Sequence, residues 1–529
     1  MPAELQKRTV TITPDTKYVQ AKTGESLTVI IKSPTCIVDC HAHIENGSCA
    51  PLPLLWAQNW LIRKKQRKEI DEMSTEGITG LLSTLIIGKA GSLQVKATSE
   101  IGKQVVTEID AAFGQKSDIG KSEFYKNMDL FTCLVLQMMD MEYAGLEGFS
   151  GQTIYHEDKT PWYYYEYQSG KDLEKNRKAI KLPGENQKTF SKWFWQLKET
   201  KDAIKANPLR LFAMYHYDPR RWNYPKIAKL EDNFQKGPWD HPFTEIATKI
   251  NKGLFIGFKM YPPLGYKPLD ERLPYLQDRL KDGDCFYARC EREQIPILVH
   301  CSLGGMFTHD IKLYMQFDGR EPKPSVEDPM PAETAKRLFS PEGYFWTNYV
   351  HPRAWREVLV RFPELKICLA HFGGNEWSRG LDSDWVTEII SLTKEYKNVY
   401  TDFSCWNLEK SKDVFADLLS SKQHSHLKEK ILFGTDWYMT LLALGGKSYK
   451  KFCEEFWEFF NEIPGGMKLW QQFTFINPFT FYGFNSSEII NNITSKLEEL
   501  KVKNEALKNN LAAFQRLKDV YDKIKADNK

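Results

Sequence analysis

Eight short apolar runs, separated by longer segments of helical spacing, are the feature that most constrains how this chain can fold. They cover residues 37–43, 130–138, 209–217, 255–261, 295–300, 365–371, 398–403 and 431–436. Several are continuously apolar, which is typical of parallel strands buried on both faces. Strands that alternate with helices indicate βαβ units. The pattern therefore predicts an α/β fold with a parallel sheet. An apolar run at residues 78–87 competes for the place of the second strand.

Three of these runs end in side chains that bind metal ions. The first ends in His41-Ala-His43, and side chains two residues apart on a strand point to the same face. The fifth ends in His300 and the eighth in Asp436. Zinc binds imidazole nitrogens and carboxylate oxygens, and a catalytic zinc keeps one position open for water. The four side chains therefore predict a site for a divalent metal, with zinc favoured.

The segments around these residues resemble the motifs of a known family. They are Val38-Asp-Cys-His-Ala-His43, Leu369-Ala-His-Phe-Gly-Gly374 and Phe433-Gly-Thr-Asp-Trp437. In kind and order they are similar to those of the amidohydrolase superfamily, in particular its branch of metal-dependent hydrolases and carboxymuconate-semialdehyde-type decarboxylases. The resemblance covers residues 36–484. It implies a distorted (β/α)8 TIM barrel, with His41, His43, His300 and Asp436 as metal ligands at the carboxyl ends of the strands.

The number of metal ions depends on two further residues, His371 at the end of the sixth run and Lys259 in the fourth. In mononuclear relatives the corresponding histidine contacts the substrate or the bound water. In binuclear relatives it binds a second ion, and a carboxylated lysine bridges the two. One ion is favoured here, because histidine and carboxylate ligands with one open position already complete a zinc site. Two ions remain the alternative.

The favoured function is that of a metal-dependent hydrolase acting on an amide, ester or lactone carbonyl of a small molecule. A metal ion lowers the pKa of its bound water to about 7, which supplies hydroxide. Asp436 would shuttle the proton, and His371 would stabilise the oxyanion. Non-oxidative decarboxylation of a small aromatic acid uses the same ligands and is the alternative reaction. A non-catalytic interaction scaffold is the alternative of another class.

Weaker candidates lie beside the predicted strands. Tyr261 and Tyr266 flank a Pro-Pro turn after the fourth strand and are either substrate contacts or packing residues. Arg220 follows the third strand, where it would clamp a substrate carboxylate or belong to a solvated charge cluster. Asp402 ends the seventh strand and would orient a ligand histidine.

The chain is much longer than the barrel it predicts. A (β/α)8 barrel takes about 250 residues, whereas this chain has 529. We expect a β appendage over residues 1–35, a barrel over 36–484 and a helix over 485–529. Insertions at 141–206 and 302–350 would form lids over the active-site face, or only padding or a dimer contact.

The last segment carries an apolar seam at helical spacing. The seam comprises Ile493, Leu497, Leu500, Asn504, Leu507, Leu511, Phe514 and Tyr521. Packing of this helix on its own barrel is favoured over a coiled coil that would make a homo-oligomer, because the seam lasts only about four heptads.

Composition excludes several classes of partner. The net charge of +3 argues against a dedicated nucleic-acid surface. The chain has no run of about 18 apolar residues, which predicts no membrane span. Its polar beginning lacks the apolar core of a signal peptide, and its ten cysteines show no paired zinc-finger spacing. We therefore expect a cytoplasmic protein with reduced thiols.

Overall fold

The computed structural model describes residues 6–12, 25–31, 33–43, 98–126, 128–139, 192–219, 240–270, 273–277, 285–303, 345–437 and 447–527. Within these ranges, eight strands form one parallel sheet in which neighbours in space are neighbours along the chain. They are β3 (Ser33–Ala42), β4 (Met128–Gln137), β5 (Leu211–His216), β6 (Phe258–Met260), β7 (Ile297–Leu303), β8 (Ile367–Gly374), β9 (Val399–Asp402) and β10 (Ile431–Leu432). Each corresponds to one of the eight predicted runs, so the predicted (β/α)8 barrel is confirmed.

The first and last strands close the barrel through the residues that follow β10. The backbone N–H of Cys40 donates to Phe433 O at 2.9 Å, and that of Asp436 donates to His41 O at 2.6 Å. Ala42 and Trp437 form a parallel bridge beyond them. The segment after β10 therefore continues the sheet along β3, and it brings Asp436 beside the two histidines of the first strand.

Helices cover the outside of the barrel and continue beyond its last strand. They are α1 (Thr98–Phe113), α2 (Asp118–Lys121), α3 (Lys192–Ala206), α4 (Asp240–Glu245), α5 (Pro274–Gln277), α6 (Phe286–Glu293), α7 (Arg353–Arg361), α8 (Asp384–Glu395), α9 (Leu408–Ser420), α10 (Tyr449–Glu462), α11 (Gly466–Gln471), α12 (Asn477–Tyr482), α13 (Ser487–Glu499) and α14 (Glu505–Asp527). No helix in the described part of the chain is long and apolar enough to cross a membrane.

The strands are buried because their side chains are apolar on both faces. All six residues of β5 are buried, as are seven of the eight in β8. Cys40, Cys133, Cys301 and Cys368 lie in this interior as free thiols. The same core continues into an aromatic cluster between the sheet and the helices, where Phe403 stacks on Phe456 at a centroid distance of 4.6 Å. This packing holds the carboxyl ends of the strands in fixed positions.

Two strands lie outside the barrel sheet. β1 (Gln6–Ile12) and β2 (Glu25–Ile31) pair in parallel as a separate two-stranded sheet. They fall within the β appendage predicted for residues 1–35. The division of the chain into an appendage, a barrel and a tail stays a prediction. Of the two predicted insertions, residues 192–206 form α3, while residues 141–191 and 304–344 lie outside the described ranges, as does the competing run at 78–87.

The tail forms two helices where the seam predicted one. α13 ends at Glu499, Lys501 takes a left-handed backbone, and α14 begins at Glu505. Asn504 accepts the backbone N–H of Leu507 at 2.9 Å, so it caps the start of α14. Phe514 of α14 packs against the rings of Phe131, Phe212, Phe479 and Phe484. Most of the seam thus packs on its own chain, whereas Leu500 and Asn504 are exposed. Self-association stays a prediction.

Candidate metal centre

The two histidines of the first strand present their Nε2 atoms to one point. The register of β3 shifts between Asp39 and Ala42, and the rings of His41 and His43 are both buried. His43 Nδ1 lies 3.1 Å from the carbonyl oxygen of Gln137, and His41 Nδ1 lies 3.1 Å from Asp402 Oδ2. A carbonyl or carboxylate oxygen only accepts, so the proton of each neutral ring sits on Nδ1. Both Nε2 atoms therefore carry a lone pair.

Asp436 supplies the third atom of the cluster. Its Oδ1 lies 3.1 Å from His43 Nε2 and 3.4 Å from His41 Nε2. Its backbone is left-handed, with φ of 57°, and is tied to the first strand by its hydrogen bond to His41 O. Burial alone would raise the pKa of Asp436, but the neighbouring histidines, above all His43, hold it well below its usual range. The carboxylate is therefore an acceptor at neutral pH.

The cluster has the spacing and the chemistry of a metal site. Ligand atoms about 2.0–2.1 Å from a tetrahedral zinc ion lie about 3.3–3.4 Å from one another. The two measured separations of 3.1 and 3.4 Å are close to this value. His41 Nε2, His43 Nε2 and Asp436 Oδ1 are of the atom types that bind zinc. The three residues therefore fit a divalent metal.

Lys259 lies beside this cluster. Its side chain is fully buried in β6, and its Nζ is 3.4 Å from His41 Nε2. Burial lowers the pKa of Lys259 to about 8, although Asp436 and Asp402 oppose that shift. The structure therefore places a buried amine beside the cluster. Its predicted role is one of two, bridging two ions or binding the substrate. Which of these two roles it has stays a prediction.

His300 lies next to His371 and outside the three-atom cluster. His371 Nε2 is 3.0 Å from His300 Nδ1, and Ser302 Oγ is 3.3 Å from His300 Nε2. Among the described residues, the groups with metal-ligand spacing are His41 with His43 and Asp436, and His41 with His371 and Asp402. The predicted fourth ligand, His300, joins neither group. Its ring packs on Tyr261 at a centroid distance of 4.5 Å.

The backbone around His371 is left-handed for four consecutive residues. The φ angles of His371, Phe372, Gly373 and Gly374 are 66°, 44°, 83° and 60°. Such backbone is costly for residues other than glycine and persists where the surroundings enforce it. His371 N–H donates to Asp402 Oδ1 at 3.0 Å, and its carbonyl accepts the indole N–H of Trp406 at 2.7 Å. These two bonds hold the histidine at the mouth of the barrel.

The weaker candidates have different outcomes. Tyr261 lies over His300 and has Lys259 Nζ 5.9 Å from its ring, so it borders the site. Tyr266 is fully buried, and its hydroxyl oxygen accepts the backbone N–H of Tyr261 at 2.7 Å, which supports the turn. Arg220 lies outside the described residues.

Sequence reasoning missed three supporting residues. Gln137 fixes His43 through its carbonyl, and Ser404 contacts the rings of both His41 and His371. Asp39 joins the first strand to Thr435. Their signal in the sequence is slight: a polar residue within or just after an apolar run.

Comparison with known proteins agrees with the motifs. Residues 238–456 match the family model described as Amidohydrolase, which confirms the resemblance to that family over this part of the chain. The match includes Lys259, His300, His371 and Asp436, whereas His41 and His43 precede it. Comparison with curated protein sequences finds no match.

Several solved structures are similar at low identity. A 5-carboxyvanillate decarboxylase from Novosphingobium aromaticivorans has 11% identity and a TM-score of 0.37, over 85% of this chain and 98% of its own. A 2,6-dihydroxybenzoate decarboxylase from Rhizobium has 11% identity and a TM-score of 0.36, over 86% and 100%. An amidohydrolase from Burkholderia multivorans with bound zinc has 10% identity and a TM-score of 0.31, over 54% and 79%. Scores this low carry no conclusion about the reaction.

Proposed function

We propose that this chain, which resembles the amidohydrolases in its motifs and over residues 238–456, is a metal-dependent hydrolase of a small carbonyl compound. The observation that carries the proposal is the convergence of His41 Nε2, His43 Nε2 and Asp436 Oδ1 at metal-ligand spacing. These atoms lie at the carboxyl ends of barrel strands, the face that holds the active sites of TIM-barrel enzymes. A bound divalent ion would acidify water and polarise a carbonyl oxygen.

The residues around the candidate metal site would transfer protons, bind the substrate and limit its size. Asp436 is a buried acceptor within the cluster, so it would take a proton from the attacking water and return it to the leaving group. Lys259 offers a buried amine 3.4 Å from His41 Nε2, where it would bind an anionic part of the substrate or bridge a second ion. Tyr261 borders the same space and would limit the size of the substrate.

Non-oxidative decarboxylation is the second candidate, and the buried amine of Lys259 is the observation that favours it. An ammonium group next to a metal site suits a substrate carboxylate, which the reaction must hold before carbon dioxide leaves. The same ligands serve both reactions. The distinction therefore has to come from the atoms that the products gain.

The test begins with the metal content per chain of protein purified without added metal. One ion per chain supports the three-atom site alone, whereas two make Lys259 a bridge and His371 a ligand. His43→Ala should lose the ion, and His424→Ala, a histidine away from the barrel mouth, should keep it. Full metal retention by a folded His43→Ala variant would overturn the proposed site.

The reaction itself is then identified with isotopes. Lactones, esters, amides and aromatic acids are incubated with the protein in ¹⁸O-labelled water, and separately in deuterium oxide. Hydrolysis places one solvent oxygen in the product. Decarboxylation releases carbon dioxide and places one solvent deuteron on carbon. Turnover that is lost in Asp436→Asn assigns the reaction to this site, and turnover that persists there would exclude it.

A further inference from the structure

Asp402, the last residue of β9, accepts hydrogen bonds from residues of β3 and β8 and from Ser404, at the carboxyl ends of the strands. Its Oδ1 accepts the backbone N–H groups of His371 and Ser404, both at 3.0 Å, and the hydroxyl of Ser404. Its Oδ2 accepts from His41 Nδ1 at 3.1 Å. Backbone N–H groups can only donate, so Oδ1 is held as an acceptor. One buried carboxylate thus contacts a residue of the candidate metal cluster and the backbone of the neighbouring histidine.

Ser404 extends this arrangement to the ring of His371. A hydroxyl has one proton, and the Ser404 hydroxyl gives it to Asp402 Oδ1. Its lone pairs then face His371 Nδ1 at 2.9 Å and His41 Nδ1 at 3.1 Å. The carbonyl oxygen of Ser404 lies 3.3 Å from His371 Nδ1 as a second acceptor. Each ring can meet these oxygens only as a donor, so each carries its proton on Nδ1.

We propose that Asp402, with Ser404 as its bridge to His371, is a positioning residue that fixes the Nδ1–H tautomer of both His41 and His371. Both rings then turn an unprotonated Nε2 inward. For His41 this is the atom that faces Asp436 Oδ1 at 3.4 Å. Only the role of the two Nε2 atoms, as sites for a metal ion or a proton, rests on the proposed function. The tautomers follow from the hydrogen bonds alone.

The inference changes the role expected of His371. Oxyanion stabilisation requires an N–H that points into the site. With its proton on Nδ1, His371 has none at Nε2, and that atom instead lies 3.0 Å from His300 Nδ1. His300 then donates from Nδ1 and can accept the Ser302 hydroxyl at Nε2. His371 is therefore arranged to accept a proton or a metal ion, and the two oxygens of Ser404, whose hydroxyl is oriented by Oδ1 of Asp402, keep it so.

The test uses two variants that separate the two rings. In Asp402→Asn the amide oxygen stays with the two backbone N–H groups, so its NH₂ faces His41 Nδ1 and moves the proton of that ring to Nε2. We expect zinc affinity of the full chain to fall about 10–100-fold, as for other partners of ligand histidines. In Ser404→Ala, Asp402 Oδ2 still accepts from His41. Zinc affinity should then stay within about threefold of that of the unaltered chain.

Ring ¹⁵N chemical shifts of the metal-free chain give a readout that needs no activity. His41 and His371 should both show the Nδ1–H tautomer in the unaltered chain. Asp402→Asn should convert His41 alone, and Ser404→Thr, which keeps the hydroxyl, should resemble the unaltered chain. An Nε2–H tautomer at either ring of the unaltered chain overturns the inference, and this holds even if Asp402→Asn fails to fold. Correct tautomers in a chain that binds no zinc would instead overturn the proposed function alone.

Discussion

Asp39 is a buried carboxylate that connects the first barrel strand to the segment after the last one. Its oxygens accept the backbone N–H and the hydroxyl of Thr435, at 3.0 and 2.7 Å, and the hydroxyl of Tyr449 at 3.1 Å. The backbone N–H of His41 donates to it as well, at 3.1 Å. Burial nonetheless raises the pKa of Asp39 to about 7, against the effect of these hydrogen bonds. Ionised, buried Asp39 therefore destabilises the folded protein, and this effect appears as the pH rises.

We predict that Asp39→Asn stabilises the protein at pH 8 and that the gain disappears toward pH 4. An amide can keep the two backbone N–H bonds through its oxygen and donate to the two hydroxyls. The folded chain binds the Asp39 proton up to about pH 7, whereas the unfolded chain releases it near pH 4. Stability of the unaltered chain therefore falls as pH rises through this window. The expected gain at pH 8 is at least about 1 kcal/mol, since one pKa unit corresponds to about 1.4 kcal/mol.

Urea unfolding of both proteins from pH 4 to pH 8 measures this difference. Asp39→Ala serves as the control, because it leaves four buried donors without an acceptor and should cost about 3 kcal/mol or more. A difference between Asp39→Asn and the unaltered chain that does not change with pH would contradict the assignment.

Among the elements, the end of β8 contains a glycine whose replacement by any other residue would strain the backbone. Gly374 has φ of 60° and ψ of −126°, a region that side chains other than hydrogen avoid. A Cβ there would lie 2.7 Å from Cβ of Ser302 on β7. The close approach of these two strands sets the spacing between His371 and His300.

We predict that Gly374→Ala costs more than about 2 kcal/mol, because strain and overlap add. Gly465→Ala is the control: its φ of 72° and ψ of 7° lie in the left-handed helical region, and no described atom lies within 4 Å of the added Cβ. It should cost only about 1 kcal/mol, the cost of left-handed backbone. Thermal unfolding of the two variants tests this, and equal losses would show that neither the backbone at Gly374 nor contact with Ser302 adds to that cost.

The tail helix α14 contributes to the stability of the barrel through Phe514. This ring is buried among four phenylalanines of the barrel and of the segment before α13. Phe514→Ala should cost about 3–5 kcal/mol. The exposed neighbour Gln515 provides the control, and Gln515→Ala should stay within about 0.5 kcal/mol. Urea unfolding that finds no loss for Phe514→Ala would show that the tail does not pack on the barrel as described.

Elements formed by interactions between residues close in sequence could be predicted, and those that depend on distant contacts could not. All eight barrel strands could be located from apolar runs, because a strand buried on both faces needs apolar residues at successive positions. The break at Lys501 could not be located, since no glycine or proline marks it. The contacts of Ser404 with His41 and His371 join three strands. Spacing along the chain does not show such contacts, and the same reason applies to the place of His300 beside His371.

For the whole molecule, the candidate metal centre also connects the first and last strands of the barrel. His41 lies in β3, His43 follows that strand and Asp436 follows β10, so an ion bound by all three would join the two ends of the sheet. An ion that binds only the folded chain stabilises it by about 2.7 kcal/mol when its free concentration is a hundred times its dissociation constant. We therefore predict that removing the ion with a chelator lowers the Tm by several degrees.

The same variants that test the site decide whether this stabilisation comes from the connection between the two strands. His43→Ala removes one ligand, so its Tm should be low from the start and should not respond to chelator or to added zinc. His424→Ala should respond as the unaltered chain does, because this residue lies in the segment before β10 and is not one of the three ligands. Calorimetry with and without chelator provides the measurement. A Tm of the metal-loaded, unaltered chain that does not move on metal removal would show that the barrel closes through its hydrogen bonds alone, and that the ion serves only chemistry.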